Sequence, residues 1–241
     1  MEDIIIHPRQ SKREQRVPPC GLMLVTPPEL QYGHRRLTAS GGRNQFIFGS
    51  NLVISADKTR FAAGPAVGAP VAAMLMEKLI VLGARRIIMF GWCGVIDRGL
   101  QVGDVIVGGS PESGEGTSRY YPTPTPPLPS SSLQAGLVGS LAERGIASVV
   151  KNVWSTDALY REDRKYLNRL HREAGVCCVD MEYSALCAVA AFRGVEFAAL
   201  LLASDELYRQ QWVAGYTRED FLQKSRTLVD LLLDDRVFRG E

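Results

Sequence analysis

Glu182 and Asp205 each follow a short apolar run at once, Glu182 after VCCVDM and Asp205 after FAALLLAS. A carboxylate in such a place accepts hydrogen bonds from ligand hydroxyls. A carboxylic acid there hands a proton to a departing group, so the pair can serve both halves of a bond cleavage. Carboxylates also favour helix starts, where they cap free N–H groups and meet the positive end of the helix dipole. Position alone leaves both readings standing. Trp92 and Cys93, which follow RIIMFG, and the polar stretch 155–160 also lie just beyond apolar runs.

Those placements matter because of the elements that carry them. Apolar runs at 21–25, 46–48, 52–55, 86–90, 105–107, 149–153, 177–179 and 197–203 read as strands, and the runs at 86–90 and 197–203 are those of strands covered on both faces. Pro27 and Pro28 read as ending the first strand in a loop. Pro70 sits in the first turn of a helix in which Val71, Met74, Leu75, Leu79 and Leu82 recur at helical spacing until Gly83. Further helices are expected over 161–174, over 182–193 and at the C-terminal end. There Phe221, Ser225, Leu228, Val229 and Leu232 form a stripe behind a capping box of Thr217 and Asp220. The stretch 111–129, with its PTPTPPLP, reads as a surface loop or lid.

This alternation predicts one α/β domain over 1–241, with a mixed, mostly parallel central sheet, helices on both faces and a loosely ordered extension over 1–18. Ligands of such folds bind beyond the carboxyl ends of the strands, where the two carboxylates stand.

The 241 residues carry a formal charge of only +2, which gives no field for gripping nucleic acid. No segment approaches the roughly 20 apolar residues of a membrane helix, so neither nucleic acid nor membrane is an expected partner. The start, MEDIIIHPRQSKREQR, lacks the h-region of a signal peptide. Five cysteines without CxxC or zinc spacing fit a reduced interior, so a cytoplasmic location is expected. Cys177 and Cys178 read as packed thiols on opposite faces of a strand. His7, His34 and His171 are isolated, so no metal site and no Ser/His/Asp triad is expected. Neither GxGxxG nor GxxxxGK[ST] occurs.

Taken in order, ARRIIMFGWCG, LQVGDVIVG, VWSTDALYRE and VDMEYSALCAVAAFRGVEFAALLLASDEL resemble signature segments of the nucleoside phosphorylase family. That family includes hexameric purine nucleoside phosphorylases, uridine phosphorylases and methylthioadenosine nucleosidases, and the likeness runs over about 64–232. The resemblance implies cleavage of an N-glycosidic bond through an oxocarbenium-like transition state, with the pentosyl group passing to phosphate or to water. On that basis Glu182 matches the carboxylate that binds the ribose 2′ and 3′ hydroxyls and tightens as charge develops. Met181 packs under the sugar. Asp205 matches the acid that protonates purine N7, a role that needs a raised pKa, and Ser204 orients the base.

Leu159, with Tyr160 beside it, stands where the family often places an aromatic that stacks on the base; Trp92 and Cys93 complete the substrate pocket. Arg43 matches an arginine that reaches a neighbouring subunit's phosphate. Arg218 falls near an arginine that assists the acid, with a surface role as its alternative. A homo-oligomer, a dimer or a trimer of dimers, is implied, with a nucleoside as small-molecule partner and no cofactor beyond phosphate as co-substrate. Asp205, and the absence of a Gln-x-Arg pair after Tyr160, favour a purine base.

Two departures bear on the nucleophile. Family phosphorylases usually carry GDPxR in the first loop, where this chain has VTPPELQYGHRR. Met89 and the Gly91–Trp92 pair replace an arginine and a Gly-Ser pair, so a cation and a hydroxyl give way to a thioether and an indole. Arg35 and Arg36 are candidate substitutes for the missing cation. Phosphorolysis of a purine-type nucleoside leads the expectations. The alternatives are a phosphate-independent nucleosidase, for which Glu29 is the first-loop carboxylate that can activate water, and a nucleoside-binding protein without turnover. Glu29 otherwise reads as a solvated surface residue.

Overall fold

The two continuous apolar runs become the long axial strands. A computed structural model describes residues 4–238. In it β5 (Arg86–Val95) and β9 (Glu196–Glu206) pair in parallel from Arg86 opposite Glu196 to Val95 opposite Glu206. Successive residues of a strand face opposite sides. Phe197, Ala199, Leu201 and Ala203 accordingly enter one core, while Ala198, Leu200 and Leu202 enter another.

The remaining strands are β1 (Cys20–Leu24), β2 (Arg43–Ile47), β3 (Ser50–Ile54), β4 (Arg60–Gly64), β6 (Val105–Ser113), β7 (Val149–Ser155), β8 (Val176–Asp180) and β10 (Val213–Ala214). They form a single sheet in the order β10-β9-β6-β7-β8-β5-β1-β4-β3-β2. The pairings β4–β1–β5–β9 and β6–β7–β8 are parallel, so the sheet is mixed and mostly parallel. The β5–β9 pairing also closes β9, β6, β7, β8 and β5 into a ring, which strand-helix alternation did not announce. Register shifts at Cys93/Gly94, Gly108/Pro111 and Asn152/Val153 account for the curl, because a bulge bends its strand and increases its twist.

Helices lie on both faces, as expected. From α2 (Ala69–Leu82) and α5 (Tyr183–Arg193), Leu75, Met76, Leu79, Leu186 and Val189 enter the first core. From α1 (Pro27–Ala39), α3 (Ser131–Glu143) and α6 (Glu219–Leu232), Leu30, Leu37, Leu133, Leu137, Leu141, Leu228 and Leu232 fill the second. The amphipathic α4 (Arg164–Ala174) packs Leu167 against Ile96, Trp154, Val176 and Val179.

Several boundaries depart from the sequence reading. Pro27 and Pro28 do not open a loop. They occupy the first turn of α1, where their missing N–H groups cost nothing. Pro111 belongs to β6, tolerated at the bulge, so the irregular stretch is shorter than 111–129. The 161–174 helix begins only at Arg164, after a short 3-10 turn at Leu159–Arg161. The Thr217–Asp220 capping box does not form: Arg218 is the N-cap residue of α6, without a side-chain cap. Of the expected N-terminal extension, residues 1–3 lie outside the described residues. The rest runs along α2, where Lys78 Nζ donates to the Arg9 carbonyl and pairs with Glu14 at 2.6 Å, and Val17 N donates to Leu82 O at 3.0 Å. All five cysteines are free thiols.

Candidate active site

Beyond the carboxyl ends of β1, β5, β8 and β9 lies a cavity of about 530 Å³. Trp92, Cys93, Met181, Glu182, Ser204 and Asp205 all line it, so three separate strand ends bring the expected residues to one place. Leu159 and Tyr160 stand at its mouth, 47% and 96% exposed. Arg43 and Arg218 are not brought to it: Arg43 is exposed on the edge strand β2, and Arg218 pairs with Asp220 at 2.5 Å. Arg35 borders a separate small pocket between α1 and α6, Arg36 pairs with Asp230 at 2.9 Å, and Met89 is fully buried in the core.

The two readings of Glu182 are separated by its neighbour. Asp180, at the end of β8, caps α5: its Oδ2 accepts from Tyr183 N at 2.7 Å and from Glu182 N at 3.2 Å. Its Oδ1 accepts from Ser155 Oγ at 2.5 Å, and that hydroxyl oxygen accepts from Ser184 N at 2.9 Å. The network continues through Ser184 Oγ to Glu115 at 3.0 Å. Capping is thus performed by Asp180, and the Glu182 side chain is free to turn toward the N-terminus of α2. There Gly68 N donates to Oε1 at 2.5 Å. Gly68 has φ +89°, a left-handed conformation that suits glycine, and its amide belongs to the positive end of α2. Burial, and then the Asp180 charge, push the Glu182 carboxyl well above the usual carboxylate range, with the Gly68 amide opposing them.

Asp205 is placed by the β5–β9 bulge, not by a helix start. Cys93 pairs with Ala203 and Gly94 with Asp205, which leaves Ser204 as the extra residue. The Ser204 hydroxyl lies 2.6 Å from Asp205 Oδ1 and 3.2 Å from the Cys93 carbonyl. Trp212 Nε1 donates to the other carboxylate oxygen at 2.8 Å. Sequence reasoning missed Trp212, and with it Glu162, which lines the same end of the cavity; the signals were an aromatic within the polar RQQWVAGY and a carboxylate in YREDR.

One wall of the cavity is aromatic, and it runs from Trp92 through Tyr216 to the Trp212 that donates to Asp205. Trp92 stacks on Tyr216 at 5.7 Å and meets the edge of Phe221 at 5.3 Å, with its indole N–H buried and unpartnered. The first turn of α1 arrives beside it at Val25 and Thr26. Helix N-termini bind anions through free N–H groups and the dipole, and here prolines take the first two positions. Glu29 adds a negative charge: it is buried, not solvated, and accepts from the hydroxyls of Thr26 and of Ser225, the latter at 2.5 Å. It therefore ties α1 to α6 and is not a cavity-lining base. Arg164 is the one cation among the described lining residues. Among the described residues no cluster of three or more His, Cys, Asp or Glu side chains can hold a metal ion, and no helix is long and apolar enough to cross a membrane.

Comparison with known proteins agrees with this architecture. A guanosine phosphorylase from Halorubrum lacusprofundi is 26% identical over 165 residues, 68% of each chain. A DeoD-type purine nucleoside phosphorylase from Caldanaerobacter subterraneus is 29% identical over 159 residues, 65% of this chain and 68% of that one. The crystal structure of purine nucleoside phosphorylase from Toxoplasma gondii, in complex with immucillin-H, superposes with a TM-score of 0.78 at 19% identity and covers 98% of this chain and 96% of its own. The sequence profile of the phosphorylase superfamily matches residues 21–234, which span β1 to α6 and so contain every strand end that lines the cavity; this chain belongs to that superfamily.

Proposed function

We propose that the protein cleaves the N-glycosidic bond of a purine-type nucleoside and transfers the pentosyl group to phosphate. The observation that carries this reading is the joint placement of Glu182 and Asp205 in one cavity, with capping left to Asp180. Glu182 accepts the sugar hydroxyls and strengthens its hold as the ring becomes cationic, while the carboxyl groups at the Asp205 end serve the departing base. Met181 packs under the sugar, and Ser204 and Leu159 contact the base. Similarity to phosphorylases supports phosphate as the acceptor.

A second reading, transfer to water, is favoured by the aromatic wall at Trp92 and by the α1 N-terminus beside it. An anion needs positive charge and several donors, and prolines, an indole and Glu29 provide neither. Incubating the pure protein with a panel of purine nucleosides, with and without phosphate, is expected to release free base. Release only with phosphate establishes the first reading and equal release establishes the second. Measurable binding without release from any nucleoside overturns both and leaves a binding protein.

The cation for phosphate would come from a second copy. Phe48 and Met74 are 61% and 52% exposed, and Lys78, one turn beyond Met74 on α2, lies 5.7 Å over the Phe48 ring, so an apolar face joins α2 to the β2–β3 turn. Val67, which lines the cavity, is 52% exposed next to it. A homo-oligomer, a dimer or a trimer of dimers, that buries this face brings the strand bearing Arg43 near its partner's cavity. Light scattering is expected to give a dimer or larger, and Phe48→Glu a monomer with reduced base release. A wild-type monomer would refute the assembly.

A further inference from the structure

At the base end of the cavity one carboxyl group has no donor on it. Glu162 follows the 3-10 turn at Leu159–Arg161 and lines the cavity together with Asp205, and no described residue hydrogen-bonds its side chain. Its loop is fastened across the cavity end. The Arg164 guanidinium donates to the carbonyls of Leu207, Tyr208 and Gln210 at 3.2–3.4 Å, on the segment leading to Trp212. Asp205, by contrast, has a donor on each oxygen, from Ser204 and Trp212. Donors on a carboxylate favour its ionised form, whereas burial beside a like charge favours the neutral acid. Two carboxyl groups that line one cavity in unequal surroundings hold their protons unequally.

We propose that Glu162 is a catalytic acid of the bond cleavage, holding the proton that the departing base takes up, with the Asp205 side chain, held by Ser204 and Trp212, at the same end of the cavity. This deepens the purine-nucleoside reading and rests on it. As the C1′–N9 bond breaks, its electron pair passes to the base and the Glu162 proton moves to a base nitrogen. An oxygen of phosphate or water bonds to C1′, and any proton that oxygen sheds goes to solvent, from which the Glu162 carboxylate regains its own. Burial and the Asp205 charge raise the Glu162 carboxyl to about 7, so the proton is present at neutral pH. The other ionisable lining groups are Cys93, Asp180, Glu182, Tyr160, Tyr216 and Arg164, and Asp205 is the one whose charge acts on Glu162.

The test compares wild type, Glu162→Gln and Asp205→Asn on a purine nucleoside and on nitrophenyl riboside, whose leaving group departs without a proton. Wild-type kcat/KM on the nucleoside is expected to rise as Glu182 ionises and to fall on the alkaline side as Glu162 loses its proton, with its optimum between about 7 and 8. Glu162→Gln lowers nucleoside kcat on the order of 10²-fold and removes that alkaline limb, while turnover of nitrophenyl riboside is largely spared. Asp205→Asn moves the optimum to lower pH, because the Asp205 charge that raises the Glu162 carboxyl is gone. A Glu162→Gln variant that keeps its rate and its alkaline limb on the nucleoside overturns the assignment, and so does an equal loss on both substrates. Wild type that turns over nitrophenyl riboside but no purine nucleoside overturns the purine reading and the assignment with it.

Discussion

Glu182→Gln is expected to lower kcat by about 10²–10³-fold, the range found when a donor or acceptor that meets transition-state charge is removed, and at the same time to make the folded protein more stable above about pH 5. The first effect follows from charge. Glutamine can still accept a hydrogen bond from Gly68 N but cannot supply the negative group that the ionised carboxyl, which gains population toward pH 8, offers the cationic sugar. The second follows from linkage. Burial and Asp180 raise the folded carboxyl from 4.5 to about 8, so between those values the folded state binds more protons than the unfolded chain. Stability then falls as pH rises through that window, because folding has to take up a proton that the unfolded chain has given to solvent. An uncharged amide escapes this cost. Thermal melts of wild type and variant should diverge from pH 5 to pH 8, with the variant higher by on the order of 5 °C at the upper end. A variant that melts below wild type at both pH values would mean that Gly68 and Glu182 form a net stabilising cap, and the strained-carboxylate account would be wrong.

The same residues show how far the sequence could be read. Glu182, Asp205, Met181 and Ser204 were legible because strand ends are written in the chain: a continuous apolar run stops, and the residues immediately after it must face the open end of the sheet. Helices that bury a wide stripe, such as α2, were legible for the same reason. The first turn of α1 was not, since Pro-Pro after a strand is compatible with a loop or with a helix start. Only the burial of Glu29 against Ser225, 196 positions away, decides between them. A helix at α3 had a signal, a Ser130 cap and leucines at 133, 137 and 141, that the proline-rich stretch before it obscured. Glu162 was illegible in a stronger sense. YREDR looks like any solvated segment, and its carboxyl acquires chemical meaning only from the closing of β9 on β5, which brings Asp205 into the same cavity. Arg43 and Arg218 were matched by their position along the chain, yet within one protomer neither reaches the cavity, because position does not fix the direction of an exposed side chain.

Asp180→Ala is expected to cost more than any surface change, about 2–4 kcal/mol of stability, together with a fall in kcat on the order of 10²-fold. Three donors converge on this side chain: Ser155 Oγ, Tyr183 N and Glu182 N. Alanine leaves them without that acceptor in a buried place, and the first turn of α5 loses the contact that holds the Glu182 backbone. Asp180 is therefore a positioning residue, and Asp180→Asn separates its two contributions. The amide oxygen can still accept from the helix N–H groups, so most of the stability returns. The negative charge does not return, and it is the charge, after burial, that holds the Glu182 carboxyl up. Removing it lets Glu182 ionise at lower pH, so the acid limb of kcat/KM should move down in Asp180→Asn while the melting temperature stays close to wild type. Chemical denaturation and a pH–rate profile on the same preparations read the two effects independently. An Asp180→Asn variant whose acid limb does not move would show that the two carboxylates are not electrostatically linked during turnover, and Asp180 would then serve the fold alone.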